Sequence, residues 1–143
     1  MRGIREASPN DADGIHRVSS YLGYQTDSVD HARQRLNNIL DSDCDFVWVY
    51  VEDNTIKGWL HLFIALRLAS PRFAEIGGLA VDESYQRSGV GKKLVEKAAQ
   101  WSQQNQLTLS VRCNSNREEA NKFYESLGFE VKKTQQVHEL PSS

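Results

Sequence analysis

A chain of 143 residues, 39% apolar and 25% charged, is long enough for one domain with a real buried core. Its net charge of −2 argues against nucleic acid as the main partner, because such binders carry a basic surplus. The longest apolar runs, FVWVYV at 46–51 and WLHLFIAL at 59–66, are too short to span a bilayer, so no membrane partner is expected. Residues 1–20 carry charges throughout and lack the apolar centre of a secretion signal; the chain reads as cytoplasmic. Cys44 and Cys113 form no C-x-x-C pair, and His16, His31, His61 and His138 show no i,i+4 spacing, so no metal site is expected.

The chain shows no repeat, low-complexity tract or linker, and reads as a single domain over 1–143 with a loose tail at 139–143. Residues 4–7 read as a first strand. Ser8, Pro9 and Asp11 form a helix-start signal, continued at helical spacing by Ile15, Val18, Ser19 and Leu22 and stopped by Gly23. A second helix is expected over 28–40, with Ala32, Leu36, Ile39 and Leu40 on its apolar side. Strands follow at 45–52 and, after the Asp53-Asn54-Thr55 turn, at 56–68. Trp48, Trp59 and His61 lie on these strands, and the pattern does not say whether they face core or cleft. Residues 73–81 form a third apolar stretch, in which Gly77-Gly78 suggests a bulge or a close backbone approach. Val90, Leu94, Val95, Ala98 and Trp101 mark a helix to about residue 104, and 107–112 a strand. Ala120, Phe123, Tyr124 and Leu127 define the face of a last helix, with Ser115 and Glu118 as a capping box and Gly128 at its C′ position. Residues 129–137 read as a final strand. The order is β-α-α-β-β-β-α-β-α-β, a mixed α/β domain with a mostly antiparallel sheet and about four helices.

The stretch YQRSGVGKKL at 85–94 carries the chemical signal. It is no P-loop: Gln86 stands where the first glycine belongs and Lys93 where Ser or Thr belongs. Nor is it a dinucleotide fingerprint, since Leu94 replaces the third glycine. What remains is Gln86-x-x-Gly89-x-Gly91 between a strand and a helix. A helix start exposes unpaired N–H groups and about half a positive charge, and glycines let an anion approach them. Lys92 and Lys93 lie in the first turn, where the dipole disfavours a cation by roughly 0.3–1 kcal/mol each unless a polyanion is bound. The plain alternative is a helix capped by Ser88 with solvated lysines. This segment alone leaves the two balanced.

The run EIGGLAVDESYQRSGVGKKLVEKA at 75–98 resembles the acetyl-coenzyme A motif of the GNAT N-acetyltransferase superfamily. REEANKFYESLGF at 117–129 resembles that family's C-terminal motif, and IREASPNDADGI its first strand and helix. The likeness covers essentially the whole chain. It implies a GNAT-type fold and transfer of acetyl from acetyl-coenzyme A, as co-substrate, to a primary amine of a small molecule or peptide by direct attack. It implies Glu75 as general base and Tyr124 as general acid toward the departing thiolate. Leu79, Ala80 and Val81 then stand at the bulged strand end that binds the cofactor, with the N–H of Leu79 or of a close neighbour holding the thioester oxygen. Arg87, Ser88, Gly89, Val90, Gly91 and Lys92 hold the pyrophosphate. Many members have asparagine where Arg117 stands; Asn116 or Asn114 is the substitute contact to the pantetheine arm. The acceptor side falls on SYLGYQTDSVD at 20–30, where Tyr21, Tyr24, Asp27 and Asp30 suit a cationic amine, although an ordinary helix connection reads equally well. A non-catalytic acyl-coenzyme A sensor and a protein acetyltransferase are the competing readings. The expectation of a homodimer rests only on the family.

Overall fold

The computed structural model describes residues 2–20, 28–113 and 115–142. The chain divides into two compact units, 1–112 and 113–143. In the first, strands β1 (Arg2–Glu6), β2 (Asp45–Glu52), β3 (Thr55–Ala65), β4 (Phe73–Val81) and β5 (Leu109–Val111) form one sheet in chain order. The first three pairings are antiparallel and β4–β5 is parallel. Helices α1 (Ala12–Ser19) and α2 (Val29–Leu40) cover one face, and α3 (Val90–Gln104) belongs to the other. Residues 21–27, which include the expected stop at Gly23, lie outside the described residues.

The helix-start signal at Ser8 works through its acid. Asp11 accepts the Ser8 N–H at 2.8 Å and pairs with both terminal nitrogens of Arg5, at 2.8 and 2.9 Å. A short 3-10 turn at Pro9–Asp11 thus precedes α1. Val18 of α1 packs with Val49, Ile56 and Ala80, and Leu36 of α2 with Val47 and Ala12. On the opposite face Trp101 of α3 meets Phe46 and Trp48, with ring centroids 4.5 and 6.3 Å away. Trp48 is therefore a core residue, whereas Trp59 and His61 alternate with Leu60 and Leu62 onto the α1 and α2 face.

Both of the predicted central strands form, but β3 stops at Ala65 rather than at residue 68. Ala65 is the last residue with a partner on β4, Phe73, and Leu66 and Leu68 beyond it are exposed. The Gly77-Gly78 bulge is present: His61 pairs with Gly78 but Leu62 with Ile76, which leaves Gly77 as an extra residue.

In the second unit α4 (Glu118–Ser126) carries its half-buried side chains at Ala120, Phe123, Tyr124 and Leu127, as the spacing predicts. Gly128 closes it with φ +99°, while its N–H bonds Glu125 O and that of Phe129 bonds Tyr124 O, a Schellman pair. Two expectations fail. Arg117, not Ser115, is the N-cap, and no side chain caps the helix, so the Ser115–Glu118 box is not made. Residues 129–137 form no strand. Beyond Phe129, which packs on Tyr124, the apolar members Val131 and Val137 are exposed around the polar run KKTQQ, so residues 130–137 have no buried face to offer a sheet.

One ion pair fastens α1 to the end of β4. Arg17 donates to Asp82 Oδ2 at 2.9 Å and to the Ile56 carbonyl. Asp82 is buried and also accepts the Ser84 N–H and hydroxyl, at 3.0 and 2.9 Å. Arg17 first, then Ser84, hold its carboxyl down to about 2 against the opposing effect of burial. An unfolded Asp titrates near ~3.9, so this stabilisation is complete above that value and is lost as pH falls toward 2. Asp82→Asn should cost about 1–2 kcal/mol at neutral pH, discounted because Arg17 is partly solvated. Thermal melts from pH 7 to 2 should show the variant losing less stability with acid than the parent does.

Candidate active site

The bulge ends a pairing. The β4–β5 ladder runs Ala74↔Leu109, Glu75↔Ser110, Ile76↔Val111 and stops there, while β4 continues to Val81 paired only with β3. The outer edge of residues 77–81, which includes the predicted Leu79, Ala80 and Val81, thus has no strand partner among the described residues. Its N–H and C=O groups can bond an extended ligand arm as a further strand would. Leu79 faces Leu60 across the ladder, one residue past the bulge.

The same strand leads directly into the glycine loop. Asp82 caps the 3-10 turn Glu83–Tyr85. Tyr85 is tied by its hydroxyl to Glu52 and lies under Lys57, whose Nζ is 4.7 Å from the ring centroid. Arg87 then takes a left-handed φ of +68° and Gly89 one of +91°. Gly89, not Ser88, is the N-cap of α3, and no side chain caps it; the Ser88 hydroxyl donates to the Tyr85 carbonyl instead. Lys93 N–H reaches the Gly89 carbonyl at 3.0 Å. The N–H groups of 89–92 ahead of it are the donors a helix start leaves unpaired. Nothing stands within 4 Å of the place a Gly89 Cβ would occupy. The first turn holds no acid, and Val90, Gly91, Lys92 and Lys93 open the helix. An open, uncapped, positively charged helix start fits a pyrophosphate. A groove of about 360 Å³ on the α3 face, between Tyr50 and Lys97, holds neither Glu75 nor the loop glycines.

Glu75 is buried on the α1 and α2 face of the sheet. Each carboxylate oxygen already accepts a hydrogen bond, Oε1 from the Ser110 hydroxyl at 3.0 Å and Oε2 from Arg112 Nε at 3.1 Å. Beside it on the same face stands His61, whose facing the sequence left open: its Nε2 is 2.7 Å from Asp45 Oδ1, and its ring lies 6.0 Å from that of Phe63. Only the strand register reveals the pair, because Asp45 and His61 sit on adjacent strands 16 residues apart.

Tyr124 belongs to the second unit. Its ring meets Phe123 and Phe129 edge-on, at 5.1 and 5.6 Å. Burial, followed by the nearby Cys113, raises its pKa, so the phenol keeps its proton through neutral pH. Asn116 lies in the turn before α4. Tyr21, Tyr24, Asp27 and Asn114 fall outside the described residues, and Asp30 pairs with Arg33 at 3.1 Å in the first turns of α2. Among the described residues no group of His, Cys, Asp and Glu has a metal-holding arrangement, and no helix is long and apolar enough to cross a membrane.

No curated protein matches the chain significantly. Many solved structures share its fold. An aminoglycoside antibiotic 6'-N-acetyltransferase from Acinetobacter baumannii is 15% identical, with TM-score 0.85 and all of both chains covered. A transcriptional regulator from Bacillus halodurans C-125 is 19% identical, with TM-score 0.83 over 98% of this chain and 100% of that one. An aminoglycoside acetyltransferase from an uncultured soil metagenomic sample, solved with sisomicin, is 22% identical, with TM-score 0.75 over 99% and 95%. The acetyltransferase (GNAT) family model matches residues 14–129, a span that holds the split strand edge and the glycine loop, and the chain belongs to that family of acetyl-coenzyme A-dependent acyltransferases.

Proposed function

We propose that the protein transfers an acetyl group from acetyl-coenzyme A to a primary amine of a small polar molecule by direct attack. The observation that carries this reading is the unpaired edge of residues 77–81 running into the open N-terminus of α3. Acetyl-coenzyme A supplies the activated thioester. The N–H groups of 89–92 are suited to its pyrophosphate, with Arg87 and Lys92 adding charge, and the free β4 edge to its pantetheine arm. Asn116 is the candidate for a further contact to that arm. Backbone N–H groups at the bulge, Leu79 foremost, stabilise the negative charge that develops on the thioester oxygen. Tyr124 gives its proton to the departing thiolate, a role open to a phenol that is protonated at neutral pH. Glu75, fixed by Ser110 and Arg112, places a carboxylate on the face where a cationic amine would approach. Tyr21, Tyr24 and Asp27 remain candidates for the acceptor contact.

Aminoglycosides head the panel of acceptors to try, because two of the structural relatives act on them. Thiol release should be measured against aminoglycosides, polyamines and peptides. Acetyl-coenzyme A should raise the melting temperature, and turnover should appear with at least one small polyamine-like acceptor. Stabilisation with no turnover on any amine would favour a sensor, and no stabilisation at all would end the coenzyme assignment. Tyr124→Phe should lower kcat by about 10²-fold while leaving coenzyme-induced stabilisation intact; an undiminished rate would remove it as the acid. Glu75→Gln should raise KM for a cationic acceptor by about tenfold, with a smaller effect on kcat.

A further inference from the structure

We propose that His61, held by Asp45, is the group that takes the proton from the acceptor amine; this rests on the acetyl-transfer reading above. The two residues sit on neighbouring strands and point to the α1 and α2 face, with His61 Nε2 2.7 Å from Asp45 Oδ1. An ionised carboxylate can only accept, so Nε2 carries the hydrogen and the lone pair of the neutral ring lies on Nδ1. That nitrogen has no hydrogen-bond partner among the described residues. It lies 3.0 Å from the point a Cβ on Gly77 would occupy. Any side chain there would crowd the ring nitrogen, and glycine leaves it open at the bulge. His61 and Asp45 side chains are 22% and 24% exposed, reachable yet held.

The position matters as much as the chemistry. Gly77 is the extra residue of β4, and the next position, Gly78, is the ladder partner of His61. Nδ1 therefore stands over the place where β4 loses its partner β5 and offers free backbone to the thioester. Glu75 shares this face, but each of its oxygens already accepts a bond from Ser110 or Arg112. In the reaction the ammonium yields one proton to Nδ1, and the freed nitrogen lone pair forms the N–C bond as the C–S bond breaks. A second proton leaves that nitrogen to solvent. The sulphur leaves with the Tyr124 proton, and the phenolate and imidazolium are reset by proton exchange, so the net products are amide, thiol and one proton.

The test compares a strongly basic primary amine with a weakly basic one that is already neutral near pH 7. His61→Gln should lower kcat on the basic amine by about 10²-fold and on the weak one by less than about fivefold, because only the first must be deprotonated before attack. KM for acetyl-coenzyme A and its thermal stabilisation should not change. Exogenous imidazole should restore part of the rate of His61→Ala. Asp45→Asn, which keeps the ring in place but can invert its tautomer, should show the same amine-dependent loss and serves should the His61 variants fold poorly. Equal losses on both amines, or wild-type rates in these variants, would overturn the assignment alone. Wild-type protein that binds acetyl-coenzyme A and acetylates no amine would overturn the acetyl-transfer reading and this assignment with it.

Discussion

A single extra residue in β4 sets the geometry of the site. Up to Ile76 the strand places Ala74 and Ile76 toward α3 and Glu75 toward α1 and α2. Strict alternation would send residue 80 to the α3 face as well. Gly77 resets the alternation, so Ala80 packs instead with Val18, Val49 and Ile56. The same irregularity coincides with the end of the β4–β5 ladder. A bulge thus keeps both cores packed and opens a strand edge in one step, which is where a sheet would otherwise have every backbone group paired.

Around this opening the charged groups are held. Asp82 at the end of β4 is bound by Arg17 and Ser84, and Glu75 by Arg112 and Ser110. Buried carboxylates need such partners to remain in an apolar setting. Asp82 also fixes the turn that delivers the chain into the α3 N-terminus. The start of α3 has no side-chain cap, carries Lys92 and Lys93 in its first turns and has no acid beside them. Orphan N–H groups and lysines at a helix start attract an anion.

Much of this was legible in residue order, because local signals are set by neighbours in sequence. Apolar stretches bounded by turn signals marked β2, β3 and β4, and helical spacing marked α2, α3 and α4. Gly77-Gly78 announced the bulge, and Gly128 the helix stop. Misreadings arose where competing local signals needed a tertiary partner to choose between them. Ser88 and Ser115 have the chemistry of caps, yet the backbone turned elsewhere and Gly89 and Arg117 took those places. Residues 129–137 have enough β-branched character to read as a strand, but only a neighbouring edge and a buried face make one.

The sequence by itself determined the element order as far as α4, the glycine stretch at 85–94 and the family, since each depends on contiguous residues whose spacing is fixed by the covalent chain. Tertiary structure alone decided which face each central aromatic takes, that Glu75 is already bonded at both oxygens, and that Asp45 meets His61. Those facts depend on strand register, and register is chosen by which cores pack on either side of the sheet rather than by any local signal.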